Sequence, residues 1–272
     1  MIRSCVTIAL VPQIKTGPWI YWDDLEVSVK KASSLGFDAI ELFTPSADAI
    51  KPDVLKELLD KNNLSLAAVG TGAGKVINGL TITDQNPEVR KKGIAFIKEM
   101  IVFGAQFGAP AIIGSMQGNV APGIDRNTTI ELLSDALNEL GTYAEEQGTF
   151  LIYEPLNRYE TNITNTIEAG AALLDNLQTN NVKLLADLFH MNIEEANMDE
   201  TIGNYIHYIG HVHFADSNRR PIGFGHTEMK SIAETLIQKN YNGYISAEAF
   251  PWPNSDAAAE QTIKSFNRYF RK

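Results

Sequence analysis

Residues 150–154 read Phe-Leu-Ile-Tyr-Glu, a short apolar run that ends on a carboxylate. Similar apolar and β-branched runs recur along the whole chain at fairly even intervals. Near-continuous hydrophobic runs, as opposed to alternating ones, are typical of parallel strands whose outer faces are covered by helices. The predicted strands are Cys5–Val11, Asp38–Phe43, Ser65–Gly70, Ala111–Ser115, Phe150–Glu154, Val182–Asp187, Ile209–Phe214 and Tyr244–Glu248.

Helical patterns lie between these strands. One runs from Glu26 to Leu35, and another from Pro87 to Phe107, with apolar residues at spacings of three and four and a proline suited to the first turn. A third helix begins near Pro52. The polar residues at positions 127–129 are N-cap candidates for the next helix, and Gly148 is a candidate for its end.

The number of strands and the chain length together predict the fold class. Eight strand–helix units of about 34 residues would fill the 272 residues, as in a closed (β/α)8 TIM barrel. A doubly wound open sheet normally has a glycine-rich phosphate turn after its first strand, whereas this chain has Pro12-Gln13-Ile14-Lys15 there. No linker or shift in composition divides the chain, so we expect one barrel domain over residues 1–272.

Composition and charge exclude several classes of protein. The near-average composition, 44% hydrophobic and 21% charged, excludes disordered, collagen-like and disulfide-rich proteins. The 33 acidic and 23 basic residues give a net charge of −10, which argues against a nucleic-acid partner. The only cysteine, Cys5, lies in an apolar run, and no run of about 18 apolar residues is present, so we expect no membrane span and no signal peptide. We therefore expect a cytoplasmic protein without a membrane partner.

Four consecutive predicted strands end on polar, metal-ligating residue types. In a barrel of this kind, catalytic side chains come from the carboxyl ends of strands and the loops that follow them. Any one carboxylate there could be a helix cap or a salt-bridge partner. The coincidence across four neighbouring strands favours a shared site instead, formed by Glu154, Asp187, His213 and Glu248.

This residue set also indicates the kind of metal. Three carboxylates at the ends of apolar runs would repel one another strongly without a cation. Together with one imidazole they suit a divalent ion such as Mn²⁺, Mg²⁺ or Co²⁺, while zinc is less favoured because no thiolate is present. We interpret the other histidines of this region, His207 and His211, as surface or packing residues.

Three longer segments carry a family resemblance. The motifs at 154–161 (EPLNRYET), 187–195 (DLFHMNIEE) and 213–219 (HFADSNR) resemble the xylose-isomerase-like barrel superfamily, and within it the sugar epimerases of the ketose 3-epimerase type. Shorter matches at 69–72, 84–92 and 221–226 bring the resemblance nearest to the 5-keto-L-gluconate epimerases.

The resemblance implies roles for individual residues. It makes Glu154, Asp187, His213 and Glu248 the ligands of one divalent metal ion, and Glu154 and Glu248 the acid/base pair. It implies substrate contacts near the ketone by Glu160, His190 and Arg219. It also implies a small-molecule sugar or keto-sugar acid as substrate, and it allows a homo-oligomer.

These observations support a leading hypothesis and three alternatives. The leading hypothesis is a metal-dependent epimerase that inverts the carbon next to a ketone through an enediolate. An aldose–ketose isomerase of the hydroxypyruvate or xylose type would use the same intermediate. A DNA-repair endonuclease of the same superfamily would need more histidines at strand ends and a basic groove. A sugar-binding protein without activity would need neither acid/base residue.

Overall fold

The structure of the protein, a computed structural model, describes residues 1–14, 16–22 and 24–271. Its eight strands are all parallel and close into a barrel in chain order, so that the first strand pairs with both the second and the last. The predicted (β/α)8 TIM barrel is therefore confirmed, and each predicted strand overlaps an observed one. The strands are β1 (Arg3–Ala9), β2 (Ala39–Phe43), β3 (Ser65–Gly70), β4 (Ala111–Ile113), β5 (Leu151–Tyr153), β6 (Val182–Asp187), β7 (Ile209–His213) and β8 (Tyr244–Ala247).

Helices follow the strands and surround the barrel. Two helices begin at a proline, Pro52 and Pro87, as the sequence pattern predicts, because an amide at the first helical position would have no partner within the helix. The described helices are α1 (Leu25–Leu35), α2 (Pro52–Asn62), α3 (Ala73–Asn78), α4 (Pro87–Ala105), α5 (Arg126–Glu146), α6 (Ile167–Asp175), α7 (Leu188–Glu194), α8 (Met198–Tyr205), α9 (Met229–Gln238) and α10 (Ser255–Phe270).

The start of α5 differs from the prediction. Its N-cap is Asp125, whose carboxylate accepts hydrogen bonds from the amides of Asn127 and Thr128. The prediction that the cap lies within residues 127–129 was wrong because those residues already form the first turn. The other end agrees with the sequence, since the helix ends at Glu146 and Gly148 follows with a φ of 77°.

The alternation of side chains along each strand separates an outer core from the barrel interior. On β2, Ile40 and Leu42 face outward and join the main core between strands and helices. Near the amino ends of the strands the interior is closed by small residues, including Cys5, Ala39 and Ala67. The carboxyl ends of the strands meet at the opposite end of the barrel, where polar side chains end or directly follow strands β5 to β8.

No helix in the described part of the chain has both the length and the apolar character needed to cross a membrane.

Candidate active site

The structure brings together the four residues that end strands β5 to β8. Glu154 and Glu248 directly follow β5 and β8, while Asp187 and His213 are the last residues of β6 and β7. One ligand atom of each lies within 4.8 Å of the others. His213 Nδ1 is 3.2 Å from Asp187 Oδ2 and 3.4 Å from Glu248 Oε2. The convergence that the sequence predicts is thus observed at the carboxyl end of the barrel.

The donor set fits a divalent cation. Glu154 is buried, and its Oε1 atom has no hydrogen-bond partner among the residues that the structure describes. A buried carboxylate oxygen without a partner is costly, and a cation beside it would remove that cost. Since the surrounding donors are carboxylate oxygens and one imidazole nitrogen, their chemistry suits a hard or borderline divalent ion.

The carboxylates of this site differ in acidity. Burial raises the pKa of Glu154 well above its usual value, and the negative charges of Glu248 and Asp187 contribute to this rise. Burial opposes ionisation of Asp187 too, but the charges of Arg219 and His190 hold its pKa well below the usual value. Burial thus favours the protonated form of Glu154, whereas the neighbouring positive charges keep Asp187 ionised.

Asp187 is both a helix cap and a member of the site. Its Oδ1 accepts hydrogen bonds from the amides of Phe189 and His190, at 2.8 and 3.3 Å, at the start of α7. Its Oδ2 faces His213 and Arg219. Because the cap fixes one oxygen, the other is held pointing into the barrel mouth.

The three residues predicted to contact substrate surround the same centre. Arg219 is buried, contacts Glu248 and lies 3.2 Å from Asp187 Oδ2. Burial would lower the pKa of Arg219, but the charges of Asp187 and Glu248 raise it, so the guanidinium stays charged. His190 Nε2 is 3.3 Å from Arg219 Nη1, and its Nδ1 is 3.8 Å from Glu160 Oε1.

A further polar residue supports these contacts. Asn157 donates to Glu160 at 2.9 Å and lies 2.7 Å from His190 Nδ1.

Arg219 has a φ of 56°, which is uncommon for a residue with a Cβ atom. The loop around it is held by the Asp216 carboxylate, which accepts backbone hydrogen bonds from Ser217, Gly223, Gly225 and Thr227.

Sequence reasoning did not assign a role to Glu41, which the structure places in direct contact with the site. Its Oε1 lies 3.2 Å from His213 Nε2, and its Oε2 lies 2.8 Å from His211 Nε2. Burial opposes ionisation of Glu41, but the two histidines hold its pKa well below the usual value. His211 is buried, as its interpretation as a packing residue requires, but it also has this polar partner. His207 is exposed.

The site opens into a cavity of about 390 Å³ with a largely apolar wall. Trp19 stacks on Phe43 with ring centroids 4.1 Å apart, and both line the cavity. Arg158 does not line the cavity and pairs with Glu194 at 2.8 Å. The cavity therefore combines one polar, charged end with aromatic walls, as small-molecule binding sites commonly do.

Comparisons with known proteins show the family to which this chain belongs. The family model described as "Xylose isomerase-like TIM barrel" matches residues 29–269. D-psicose 3-epimerase from Agrobacterium fabrum is 30% identical over 230 residues, covering 82% of this chain and 78% of the relative. D-psicose 3-epimerase from Ruminiclostridium cellulolyticum is 29% identical over 244 residues, covering 85% of this chain and 82% of the relative.

Solved structures show the same fold. D-allulose 3-epimerase from Methylomonas sp., crystallised in complex with D-allulose, superposes with a TM-score of 0.83 at 23% identity, covering 99% of this chain and 97% of the other. The chain therefore belongs to the xylose isomerase-like TIM barrel family and, within it, to the branch of sugar epimerases, which are isomerases.

Proposed function

We propose that this protein is a divalent-metal-dependent epimerase that inverts the carbon next to the ketone of a ketose or keto-sugar acid. One observation carries the proposal. Glu154 and Glu248 follow strands that are not neighbours in the barrel, yet both carboxylates reach the same centre. Inversion needs two proton-transfer groups at one carbon, and two carboxylates that approach from different strands meet that need.

Glu154, Asp187, His213 and Glu248 would hold the metal ion, with Mn²⁺, Mg²⁺ and Co²⁺ as the candidates. When bound, such an ion would polarise the ketone as a Lewis acid. Side chains of this chain would carry out all the proton transfers.

The proposed chemistry balances without any further reactant. One glutamate removes a proton from the carbon next to the ketone, and the electron pair of the broken C–H bond becomes the enediolate. The other glutamate, which starts protonated, gives its proton to the opposite face of that carbon, and proton exchange with water then restores both carboxyl groups. Arg219 and His190 would donate hydrogen bonds to the oxygen on which negative charge develops, where donors placed in advance are most effective.

Sugar substrates are supported by the relatives and by the cavity. The printed names of relatives include D-psicose 3-epimerase and L-ribulose 3-epimerase, and one solved neighbour was crystallised with D-tagatose. A cavity of about 390 Å³ accommodates a monosaccharide. We propose a keto-sugar of this size as the substrate.

Product analysis in D₂O tests the reaction. The protein is loaded with Mn²⁺ and incubated in D₂O with a panel of ketoses, uronates and keto-gluconates. The metal is then removed, and the products are analysed by NMR. We expect deuterium at a carbon whose configuration has inverted. A product with a displaced carbonyl would instead establish an aldose–ketose isomerase.

Substitution of each glutamate tests the two-base assignment. Glu154→Gln and Glu248→Gln should each lower kcat by about 10²- to 10⁴-fold, because each removes a proton-transfer group while leaving the side-chain volume unchanged. Glu195→Gln is the matched control. The Glu195 carboxylate accepts a hydrogen bond from the Ile167 amide at 2.8 Å and does not line the cavity, so this substitution should leave kcat unchanged. Retained turnover in both site variants would overturn the assignment. Full activity after removal of all divalent ions would overturn the metal requirement.

A further inference from the structure

A buried carboxylate lies between two histidines inside the barrel, beneath the proposed metal centre. Glu41 lies on β2, and its two oxygens face the Nε2 atoms of His211 and His213 on β7, at 2.8 and 3.2 Å. All three side chains are at most 4% exposed. The two rings are nearly perpendicular, at 82°, so each directs one nitrogen at a different oxygen of the same carboxylate.

His213 uses its two ring nitrogens for different partners. Nε2 faces Glu41, while Nδ1 faces the proposed metal ligands and is 3.2 Å from Asp187 Oδ2 and 3.4 Å from Glu248 Oε2. A carboxylate accepts hydrogen bonds but cannot donate when ionised, so a proton on Nε2 satisfies the Glu41 contact. The lone pair of the neutral ring then lies on Nδ1, the nitrogen that faces the metal centre.

His211 completes this arrangement. Glu41 is only 4% exposed, and an ionised carboxylate buried to this extent would be costly without hydrogen-bond partners. His211 occupies the second oxygen of Glu41, so the carboxylate is hydrogen-bonded at both ends. This fixes its rotation and prevents it from turning toward other donors of the barrel interior.

We propose that Glu41, held by His211, is a positioning residue for His213: it fixes the ring orientation and the tautomer that present Nδ1 to the metal. The inference rests on the proposed function, since it presupposes that His213 is a metal ligand. Carboxylates that accept a hydrogen bond from the far nitrogen of a ligating histidine commonly raise metal affinity by about 10- to 100-fold, a general magnitude for such partners.

The test measures metal binding without turnover. Apoprotein is titrated with Co²⁺ alone, followed by calorimetry and by the visible absorption of the bound ion, for the parent, Glu41→Gln and Glu195→Gln. Glutamine preserves the volume of Glu41 but removes its charge and replaces one acceptor with a donor. We expect Glu41→Gln to weaken Co²⁺ binding by about 10- to 100-fold and to change the absorption spectrum. Glu195→Gln should match the parent in both.

A second variant keeps the test informative if Glu41→Gln fails to fold. His211→Gln leaves Glu41 and His213 in place but replaces the histidine that orients the carboxylate, and we expect a smaller loss of Co²⁺ affinity. If His211→Gln has the Co²⁺ affinity and absorption spectrum of the parent, the role of His211 is overturned. If Glu41→Gln has the Co²⁺ affinity and absorption spectrum of the parent, the whole inference is overturned. Thermal unfolding of the apoproteins, measured in parallel, identifies a variant that is only destabilised.

Other outcomes have distinct meanings. A parent protein that binds no Co²⁺ would remove the proposed metal function and not only this inference. Two ions per chain in the parent, with one lost in Glu41→Gln, would make Glu41 a direct ligand and overturn the positioning role. A rise in KM at saturating metal with unchanged Co²⁺ affinity would make Glu41 a substrate contact and would overturn it as well.

Discussion

Gly114 leaves the space that the Glu154 carboxylate occupies. A Cβ atom built on Gly114 would lie 2.5 Å from Oε2 of Glu154, well inside van der Waals contact. Gly114 directly follows β4, and Glu154 follows the neighbouring strand β5. The absence of a side chain on one strand end thus determines where the carboxylate of the next strand end can lie.

Gly114→Ala should therefore displace Glu154 and lower activity with little loss of stability. The far end of a glutamate side chain can move, so the fold should tolerate the methyl group. A displacement of about 1 Å at a catalytic group can lower kcat by about 10²-fold. Steady-state kinetics and thermal unfolding measure the two effects.

Gly36→Ala provides the contrast for this prediction. Gly36 is the C-cap of α1 and has a φ of 80°. A Cβ atom built on it would have no described atom within 4 Å beyond its own chain neighbours. Alanine is strained in this left-handed conformation by about 1 kcal/mol, so this variant should lose stability and retain kcat. Normal kcat in Gly114→Ala would contradict the steric relationship between Gly114 and Glu154.

Asp216→Asn should destabilise the loop that carries Arg219, in a pH-dependent manner. Burial opposes ionisation of Asp216, but four backbone hydrogen bonds lower its pKa below the usual value. A lowered native pKa contributes stability above the unfolded-state pKa of about 3.9, and this contribution is lost as the pH falls through the native pKa. The free energy of unfolding should drop by about 2 kcal/mol at pH 7, as for hydrogen bonds to a charged group.

Denaturant unfolding at several pH values measures this effect. The difference between the parent and Asp216→Asn should stay constant from pH 7 to about pH 5 and should narrow below that, as the pH falls through the unfolded-state pKa toward the lowered native pKa of Asp216. A difference that also stays constant below about pH 5 would show that the charge of Asp216 does not stabilise the loop.

Arg219→Lys should impair turnover although it keeps the positive charge. The planar guanidinium places Nη2 against Asp187 and Glu248 and Nη1 at 3.3 Å from His190 Nε2, while a lysine ammonium has one nitrogen and cannot occupy both positions. Loss of a donor that stabilises developing negative charge commonly lowers kcat by about 10²- to 10³-fold. Kinetics at saturating metal measures the loss, and a kcat equal to that of the parent would rule out a role for the guanidinium shape.

Cys5 should be unreactive in the native protein. It is fully buried on β1, and burial, together with the charge of Glu41, raises the pKa of its thiol well above the usual value. Thiolate is the reactive form, so a thiol reagent should modify Cys5 only as fast as the barrel opens. Mass spectrometry after timed labelling, with and without denaturant, measures this rate. Rapid labelling under native conditions would contradict the closed interior.

Much of the fold and part of the site could be predicted from the sequence. Buried parallel strands are recognisable as short apolar runs, and their positions agree with the structure for all eight strands. Strands β5 to β8 are consecutive in the chain and adjacent in the barrel. Because the strands are parallel, their carboxyl ends lie side by side at the same end of the barrel. For this reason Glu154, Asp187, His213 and Glu248 could be placed together from the sequence.

Local details of helix starts were less predictable. Residues 125–129 contain several polar side chains that can cap a helix, and the sequence does not rank them. The structure selects Asp125 because its backbone is extended while the next residue is already helical.

The contact of Glu41 with His211 and His213 was decided only by the tertiary structure. These residues are 170 and 172 positions apart, and their strands, β2 and β7, are not neighbours in the barrel. Their meeting depends on closure of the sheet and on the relative heights of β2 and β7, which no local pattern encodes. The sequence by itself determined which strand ends carry carboxylate and imidazole groups and that these ends adjoin, because strand order follows chain order. The tertiary structure decided which side chains meet across the interior, because that distance is set by the geometry of the closed barrel.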